Sequence, residues 1–336
     1  MIEVSVIIPF FQREPKLLGL TVASIVAQKI SNVRFTIVVI DDGSPVPAQA
    51  ALEDIPALDP HKLIVVRQAN GGPGAARNRG IEEALRLCPD FVAFIDSDDV
   101  WAPDHIARAV DALQKEGSDY YFSDIMNDGE PGFPHLRFMI ANLRPEEFHE
   151  PVLKTLDNQA AVDAIAVECM PHMTTIVCKT GLLENVRFNE RFRRACEDQL
   201  FFVDLARASS RVTFSTALAG ERGEGVSIYR ETMSWGSDGA PLRILDELAY
   251  RQQSLFANDL KISTKYRLFR SGHVRMNHFV FLFVRNLKRN PKLSFSSMLT
   301  LIKRVPLFII SLPIAFVWLP LHYHSLRLGS KASATT

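Results

Sequence analysis

The chain has 336 residues, of which 47% are hydrophobic and 23% are charged. This composition excludes a disordered protein and suffices for one large domain with an appendage. Basic and acidic residues, 38 of each, cancel overall, but residues 260–336 contain 13 Lys/Arg and no acid. Because no nucleic-acid module is recognisable, this basic region predicts an anionic membrane surface as partner and no nucleic acid.

The cysteines and the first residues indicate the compartment. The four cysteines form no C-x-x-C pair and none of the spacings of a zinc site or a disulfide framework. The chain enters an apolar run at once, without a basic segment before it, so we expect no secretory leader. Both patterns favour a reducing cytoplasm.

Strand and helix patterns alternate through the first hundred residues. Apolar runs typical of buried strands end in polar loops, and stretches with helical spacing separate them. Strands joined by crossover helices predict an α/β fold with a parallel sheet, which binds ligands outside the carboxyl ends of its strands. The predicted strands are residues 4–8, 35–40, 63–66 and 91–95, and the predicted helices include 17–26 and 74–87.

The pattern is weaker after residue 118. Residues 118–180 predict a mixture of short strands and helices, without clear alternation. Further on, residues 199–208 predict a helix, 212–217 a strand, and 241–289 mostly helix. No internal repeat is visible, so the second half is expected to be α+β followed by helices.

An acidic cluster, Asp96-Ser-Asp-Asp99, follows the fourth predicted strand. Carboxylates concentrated where a buried strand reaches solvent are costly unless a cation or hydrogen bonds compensate them. Their hard oxygen ligands predict Mg²⁺ or Mn²⁺, which would bridge diphosphate oxygens. A capped turn is an equally open alternative, because Asp and Ser often begin helices.

Two further polar loops follow predicted strands at the same edge. Asp41-Asp42-Gly43-Ser44 offers a carboxylate to a base N–H or a ribose hydroxyl, or forms an ordinary Asp-Gly turn. Residues 70–78, Asn-Gly-Gly-Pro-Gly-Ala-Ala-Arg-Asn, combine a flexible loop, a helix start and Arg77, which suits a phosphate or a nucleotide. This loop fits neither the dinucleotide-binding nor the P-loop pattern, and capping a helix is its alternative role.

In this order, the loops resemble those of family 2 glycosyltransferases of the GT-A fold. The resemblance rests on residues 5–9, 39–44, 74–78 and 96–99, and it extends more weakly to about residue 235. It implies a GT-A, Rossmann-like, mostly parallel sheet flanked by helices, and inverting transfer from a nucleotide-diphosphate sugar with Mn²⁺ or Mg²⁺. It also implies a catalytic domain over 1–240, and the helical, basic pattern that follows predicts a membrane-associating region over 241–330. The catalytic domain would comprise a nucleotide-binding half, 1–117, and an acceptor-binding half, 118–240.

The resemblance also implies roles for individual residues. Asp98 would hold the metal together with Asp96, and Asp198 would be the general base that deprotonates the acceptor hydroxyl. The pair Glu197-Asp198 also suits a helix N-terminus, and His172 is open to a purely structural role. The expected substrate-binding residues are Pro9, Phe11, Arg13, Asp41, Gly74, Arg77, Asp96, His172, Glu197 and Arg230.

Two positions depart from the family pattern. The first loop reads Phe10-Phe-Gln-Arg13 where an aromatic residue followed by Asn is common, so the contacts of Gln12 are open. Glu231 and Thr232 follow Tyr229-Arg230 where members often carry a histidine, so a third metal ligand from that loop is open.

The opening Phe-Gln-Arg-Glu-Pro and the tail resemble bacterial exopolysaccharide glucosyltransferases of the succinoglycan type. This finer resemblance implies UDP-glucose as donor and a polyprenyl-diphosphate-linked saccharide as acceptor. It also implies a location at the cytoplasmic face of the inner membrane.

The tail predicts membrane association on physical grounds as well. Residues 305–321 carry no charge over 17 residues and are flanked by Lys303, Arg304 and Arg327. Three prolines argue against a straight span, so we expect peripheral or re-entrant association, with a buried core helix as the alternative. Residues 261–292 interleave basic residues with phenylalanines 279, 281 and 283, which would lie on lipid headgroups or pack inside the protein.

Two other functions are compatible with parts of the pattern. A nucleotidyltransferase also uses an α/β sheet with paired carboxylates, but it needs a Gly-rich loop after the first strand, and residues 10–15 contain no glycine. A non-catalytic, membrane-associated nucleotide-sugar-binding protein would have a damaged acidic cluster or base, and both are intact.

Overall fold

The computed structural model describes residues 1–12, 16–53, 55, 58–127, 129–131, 152–168, 171–225, 232 and 237–319. The chain divides into two compact units. The first contains Met1–Glu190 and Asp198–Val226, and the second contains Arg191–Glu197 and Ser227–Thr336. A mixed sheet with flanking helices dominates the first unit, and helices form the second.

The first four strands of the first unit form a parallel half-sheet in the spatial order β3-β2-β1-β4. Most residues of β1, β2 and β4 are buried although their side chains alternate between faces, as expected when helices cover both sides of a sheet. All four strands predicted for the first hundred residues are confirmed. They are β1 (Ile2–Phe10), β2 (Val33–Asp41), β3 (Lys62–Arg67) and β4 (Phe91–Phe94).

The helices of this half follow the strands in turn. They are α1 (Lys16–Val26), α2 (Ala48–Ala51), α3 (Pro73–Leu87) and α4 (His105–Lys115). Helix α1 buries its apolar stripe, Leu18, Val22 and Ile25, against the sheet. Helix α3 lies so close to β1 that a Cβ atom on Gly80 would come within 2.3 Å of the Ile7 side chain. Glycine at this position therefore sets the distance between α3 and the sheet.

The second half of the sheet is mixed. Strand β9 runs antiparallel to both β4 and β6, while β6 and β10 pair in parallel. The bounds are β5 (Val100–Trp101), β6 (Tyr120–Asn127), β7 (Glu130–Pro131), β8 (Leu153–Asp157), β9 (Val177–Lys179) and β10 (Arg211–Glu221). Helices α5 (Asn158–Glu168) and α6 (Glu197–Ala208) and two 3-10 helices, Met173–Thr175 and Thr180–Glu184, complete this half.

Helices form the second unit. They are α7 (Ala240–Phe256), α8 (Ile262–Arg289), α9 (Pro291–Arg304), a 3-10 helix (Pro306–Ser311) and α10, residues 312–319. Phe279 and Phe281 of α8 are 0% and 1% exposed, so they belong to the core of this unit and not to its surface. Two buried acids of α7 bind arginines: Asp246 accepts from Arg304, and Glu247 accepts from Arg275 Nε at 2.6 Å.

Membrane-spanning potential is limited to one bent pair of helices. Among the described residues, no single helix has the length and apolar character needed to cross a bilayer. The segments Pro291–Arg304 and Pro306–Leu319 meet the criteria of length and composition together, but they are bent by 115° at their junction.

Candidate active site

The carboxyl ends of the parallel strands bring the polar loops to one edge of the sheet. Phe10 of β1 lies in register with Asp41 of β2, and Ile95, directly after β4, donates its N–H to the Ile7 carbonyl at 3.2 Å. Asp96 follows Ile95, so the acidic cluster opens beside the loops of β1 and β2. This is the edge at which doubly wound sheets bind their ligands.

Gln12 ties three of these loops together. Its backbone N–H donates to Ser44 Oγ at 2.9 Å, and the Ser44 hydroxyl donates to the Gln12 carbonyl at 2.8 Å. Its side-chain Nε2 lies 3.0 Å from Ser97 Oγ, inside the acidic cluster. The departure from the family pattern at this position therefore contributes a buried connection between loops. Pro9 and Phe11, on either side of Phe10, are partly exposed, and Arg13 lies outside the described residues.

Asp41 and Asp42 shape their own loop and the glycine-rich loop. The buried Asp41 carboxylate accepts from the N–H groups of Ser44 at 2.8 Å and Ala48 at 3.0 Å. Asp42 accepts from the N–H groups of Gly71 and Gly72, both at 2.8 Å. Asp42 therefore fixes the loop that leads into α3, and Asp41 has much of its hydrogen-bonding capacity used within the protein.

Arg77 lies buried between the acidic cluster and an aromatic ring. Its Nη2 donates to Asp96 Oδ1 at 2.8 Å, and its guanidinium lies 5.5 Å from the centre of the Phe188 ring. The Arg77 side chain is only 7% exposed, whereas the Asp96 side chain is 30% exposed. Gly74, one turn before Arg77 in α3, is buried. Asp96 can therefore reach a ligand while it is paired with a buried cation.

Three potential ligand groups converge on one point. Asp96, Asp99 and His172 each offer an atom, and these atoms all lie within 4.8 Å of one another. Two carboxylates and an imidazole suit a divalent cation, and the imidazole nitrogen favours Mn²⁺ over Mg²⁺. Asp98 is directed elsewhere, since its Oδ2 accepts from the Gly225 N–H at 2.8 Å.

The acidity of these groups reflects burial and mutual repulsion. Burial and the neighbouring Asp96 and Asp98 raise the pKa of Asp99 to about 7. Burial and Asp96 also raise the pKa of Asp98. Burial opposes ionisation of Asp96 too, but Arg77 and His172 outweigh it, and the pKa of Asp96 lies below its usual value. Burial lowers the pKa of His172 to about 4, so its imidazole is neutral at pH 7 and able to bind a metal. A bound cation would offset the repulsion among these carboxylates.

A glycine-containing loop after β10 covers the acidic cluster. Gly223 N–H donates to Asp99 Oδ1 at 2.9 Å, and the Thr174 hydroxyl donates to the same carboxylate. A Cβ atom on Gly223 would lie 2.0 Å from the Asp98 carbonyl oxygen, and one on Gly225 would lie 2.6 Å from Asp98 Oδ2. Only glycine therefore permits this loop to approach the acidic cluster so closely.

Asp198 lies in the first turn of α6. Its Oδ1 accepts from the Gln199 N–H at 2.7 Å, and burial raises its pKa, with Arg77 opposing and Asp96 adding to the shift. Cys196, two residues earlier, adopts a left-handed backbone conformation with φ of 65°. Glu197 is partly exposed, and Arg230 lies outside the described residues. Burial thus shifts the Asp198 carboxylate in the direction that strengthens it as a base.

Several residues of this site lie outside the set predicted from the sequence. Asp99 is part of the acidic cluster, but no sequence pattern favoured it over Asp98 as a member of the converging group. The contribution of Gly223 and Gly225 depends on a contact with residues more than a hundred positions earlier. Two glycines a few residues after the predicted strand 212–217 were the one available signal.

Comparison with known proteins gives the class of this chain. The sequence model of glycosyl transferase family 2 matches residues 5–173, about half of the chain. The chain belongs to this family of glycosyltransferases.

Two individual proteins are similar to this chain in sequence. The chain is 36% identical over 236 residues to the succinoglycan biosynthesis protein ExoW of Rhizobium meliloti, an alignment covering 68% of this chain and 71% of that protein. It is 34% identical over 112 residues to the uncharacterized glycosyltransferase alr2836 of a Nostoc species, which covers 33% of each chain.

Solved structures show the same fold. Staphylococcus aureus TarS 1-349 in complex with UDP-GlcNAc has a TM-score of 0.60 at 20% identity, covering 93% of this chain and 84% of that one. The mannosyltransferase PcManGT of Pyrobaculum calidifontis in complex with GDP-Man and Mn²⁺ has a TM-score of 0.52 at 16% identity, covering 94% and 86%. The GT-A fold predicted from the sequence is confirmed.

Proposed function

We propose that this glycosyltransferase moves a hexose, glucose from UDP-glucose, to a polyprenyl-diphosphate-linked saccharide with inversion at the anomeric carbon. The observation that carries the proposal is the convergence of Asp96, Asp99 and His172 beside the buried Arg77. Such a group suits a metal-bound diphosphate at the carboxyl ends of the sheet. The relative named for succinoglycan biosynthesis supports a role in bacterial exopolysaccharide synthesis.

The donor would lie along the loops of β1, β2 and α3. Pro9, Phe11 and Asp41 would face the base, although the hydrogen bonds of Asp41 leave it limited capacity for a further donor. Arg77 and Gly74 would lie near the phosphates. UDP-GlcNAc in the TarS complex supports a uridine nucleotide in this place.

Mn²⁺ or Mg²⁺ would be held by Asp96, with Asp99 and His172 as the other converging groups. When bound, the ion would neutralise charge on the diphosphate as it departs. Asp98 would contribute after release from the Gly225 N–H, or would hold the covering loop through that hydrogen bond. The Mn²⁺ in the PcManGT complex supports a divalent cofactor.

Asp198 would act as the base. Its carboxylate would accept the proton of the acceptor hydroxyl while the oxygen bonds to the anomeric carbon, on the face opposite the departing diphosphate. The bond from that carbon to the diphosphate breaks in the same step, and the nucleotide diphosphate leaves. Glu197 and Arg230 would orient the acceptor.

Release of UDP from a panel of UDP-sugars with Mn²⁺ or Mg²⁺, with and without membrane lipid extract, tests the proposal. Asp198→Asn should retain donor binding and lose transfer by about three orders of magnitude, because it removes the proton acceptor alone. Asp204→Asn is the matched control, since Asp204 lies on the same helix, is 41% exposed and pairs with Arg207. Equal turnover by Asp198→Asn and wild type would refute the assignment of the base.

The donor panel also separates the remaining alternatives. A non-catalytic nucleotide-sugar-binding protein would bind UDP-glucose without releasing UDP under any condition. Release from UDP-GlcNAc and not from UDP-glucose would refute the donor while leaving the mechanism intact. Stimulation by lipid extract, and not by water-soluble saccharides, is expected if the acceptor is lipid-linked at the cytoplasmic face of the inner membrane.

A further inference from the structure

One face of α9 exposes apolar side chains to solvent. Phe295, Leu299 and Ile302 are 59%, 58% and 48% exposed, and their spacing places them on the same side of the helix. Lys292 and Lys303 are exposed at the two ends of this stripe. A water-exposed helix face normally carries polar residues, so a row of large apolar side chains needs an explanation.

The following segment, Pro306–Leu319, repeats the pattern. Ile310, Ile314 and Val317 are 64%, 57% and 73% exposed and recur at helical spacing. The opposite side of this segment is buried in the second unit through Phe308, Ser311, Ala315 and Leu319. The segment therefore has a second apolar face, which the core of the protein does not use.

An aromatic cluster connects the two helices. The Phe283 ring of α8 lies 6.3 Å from the Phe295 ring and 6.5 Å from the Phe316 ring, both in edge-on geometry. Phe316 is 41% exposed. Since both exposed phenylalanines border the same ring, the apolar residues of α9 and of Pro306–Leu319 meet in one patch. We refer to Phe295, Leu299, Ile302, Ile310, Ile314, Phe316 and Val317 as the apolar patch.

Basic residues accompany the apolar patch. Residues 260–319 contain basic residues and no acid. Lys288, Lys292 and Lys303 are exposed, and none of them has a carboxylate partner within the described part of the chain. A surface of exposed apolar groups accompanied by unpaired lysines is complementary to an anionic bilayer, which accepts apolar side chains below its headgroups and attracts cations at them.

We propose that the apolar patch and its lysines form the surface by which this enzyme binds anionic lipid. The helices lie in the plane of the interface with their exposed faces inward, which suits a pair of segments bent by 115° better than a straight crossing does. The inference rests on the proposed function in one respect, because a polyprenyl-linked acceptor requires the enzyme to work at a bilayer. The surface itself is defined by exposure and charge alone.

Co-sedimentation of the full chain with vesicles tests the proposal. Wild type should bind vesicles that contain phosphatidylglycerol, bind phosphatidylcholine vesicles weakly, and lose binding as salt increases. The double variant Leu299→Asp/Ile314→Asp should bind at least about tenfold more weakly. Leu20→Asp is the matched control, since Leu20 is 61% exposed on α1 of the first unit, and it should bind like wild type. Lys292→Glu/Lys303→Glu should weaken binding about tenfold and flatten the salt dependence.

Three outcomes would overturn the proposal. The first is equal binding by wild type and the double variant. The second is a wild-type dimer in sedimentation velocity that the double variant abolishes, without lipid binding, which would mean that a second copy covers the patch. The third is binding that arises only after removal of residues 320–336, which would mean that the chain covers its own patch. UDP release measured in the same preparations without vesicles separates these failures from a failure of the catalytic proposal.

Discussion

The buried ion pair between Arg77 and Asp96 allows a sharp test of the site. Replacing Arg77 by Met keeps most of the apolar volume but leaves the Asp96 carboxylate without its cation. Breaking a buried pair costs roughly 3–5 kcal/mol. Because the Asp96 side chain is 30% exposed, we expect the lower end of that range. Loss of the contact with the Phe188 ring, at 5.5 Å, adds about 0.5 kcal/mol.

Arg79→Met is the matched control for this variant. Arg79 lies on the same helix and binds Glu83 at 2.8 Å, but its side chain is 41% exposed. An exposed pair of this kind contributes about 0.3–0.5 kcal/mol. At roughly 2 °C per kcal/mol for a chain of this length, Arg77→Met should lower the melting temperature by about 6–8 °C and Arg79→Met by about 1 °C.

Thermal melts with and without Mn²⁺ alone complete the experiment. If the cation binds at Asp96, it supplies the positive charge that Arg77→Met removes, so Mn²⁺ should stabilise this variant more than it stabilises wild type. Equal losses of melting temperature in the two variants would refute the importance of burial for this pair. A variant that Mn²⁺ stabilises no more than wild type would refute the cation at Asp96.

Three further changes probe other parts of the first unit. Gly225→Ala should reduce kcat/KM for UDP release about ten- to a hundredfold, because the new methyl group collides with Asp98 and shifts the loop. An unchanged kcat/KM would contradict the close approach of this loop to Asp98. Gly80→Ala should lower the free energy of unfolding, measured in urea, by about 1–3 kcal/mol, because its Cβ would collide with Ile7. A variant as stable as wild type would show that α3 adjusts freely. Burial lowers the pKa of His105 to about 3, so protonation below pH 6.5 favours the unfolded chain, and stability falls as pH falls. Between pH 6.5 and 4.5 the free energy of unfolding of wild type should fall by about 2.3 kcal/mol more than that of His105→Phe, and parallel pH profiles would argue against a neutral buried imidazole.

The parallel half of the sheet could be predicted from the sequence because each of its strands is a short apolar run bounded by polar residues. Burial on both faces removes the ambiguity of which residues point inward. The edge at which the polar loops meet followed from strand direction alone. The contact between Arg77 and Asp96 is a consequence of that edge, since Arg77 lies near the start of α3 and Asp96 lies just after β4.

The second half of the sheet could not be predicted in the same way. Strand β9 has three residues and pairs antiparallel with β4, more than eighty positions earlier in the chain. Such pairing depends on tertiary packing, and no local pattern specifies it. For the same reason the sequence could not distinguish Asp98 from Asp99, because Gly223, Gly225 and Thr174 decide which way each carboxylate points.

Phenylalanines 279, 281 and 283 show the limit of a prediction from hydrophobicity. The sequence left open whether these residues lie on lipid or inside the protein. The first two are fully buried, whereas large exposed apolar residues lie earlier on α8, on α9 and on the segment that follows it. Hydrophobicity alone could not separate the two faces of α8, since a long helix in contact with several neighbours is apolar over much of its circumference.

The covering loop makes the acidic cluster a product of the whole first unit. The Asp98 carboxylate is held by a residue 127 positions later, and Asp99 by residues 75 and 124 positions later. The first 117 residues therefore do not constitute a transferable cassette for nucleotide binding. A chimaera that exchanged this half between family members would bring together an acidic cluster and a loop that had not been matched to each other, so donor-site engineering should exchange both segments or neither.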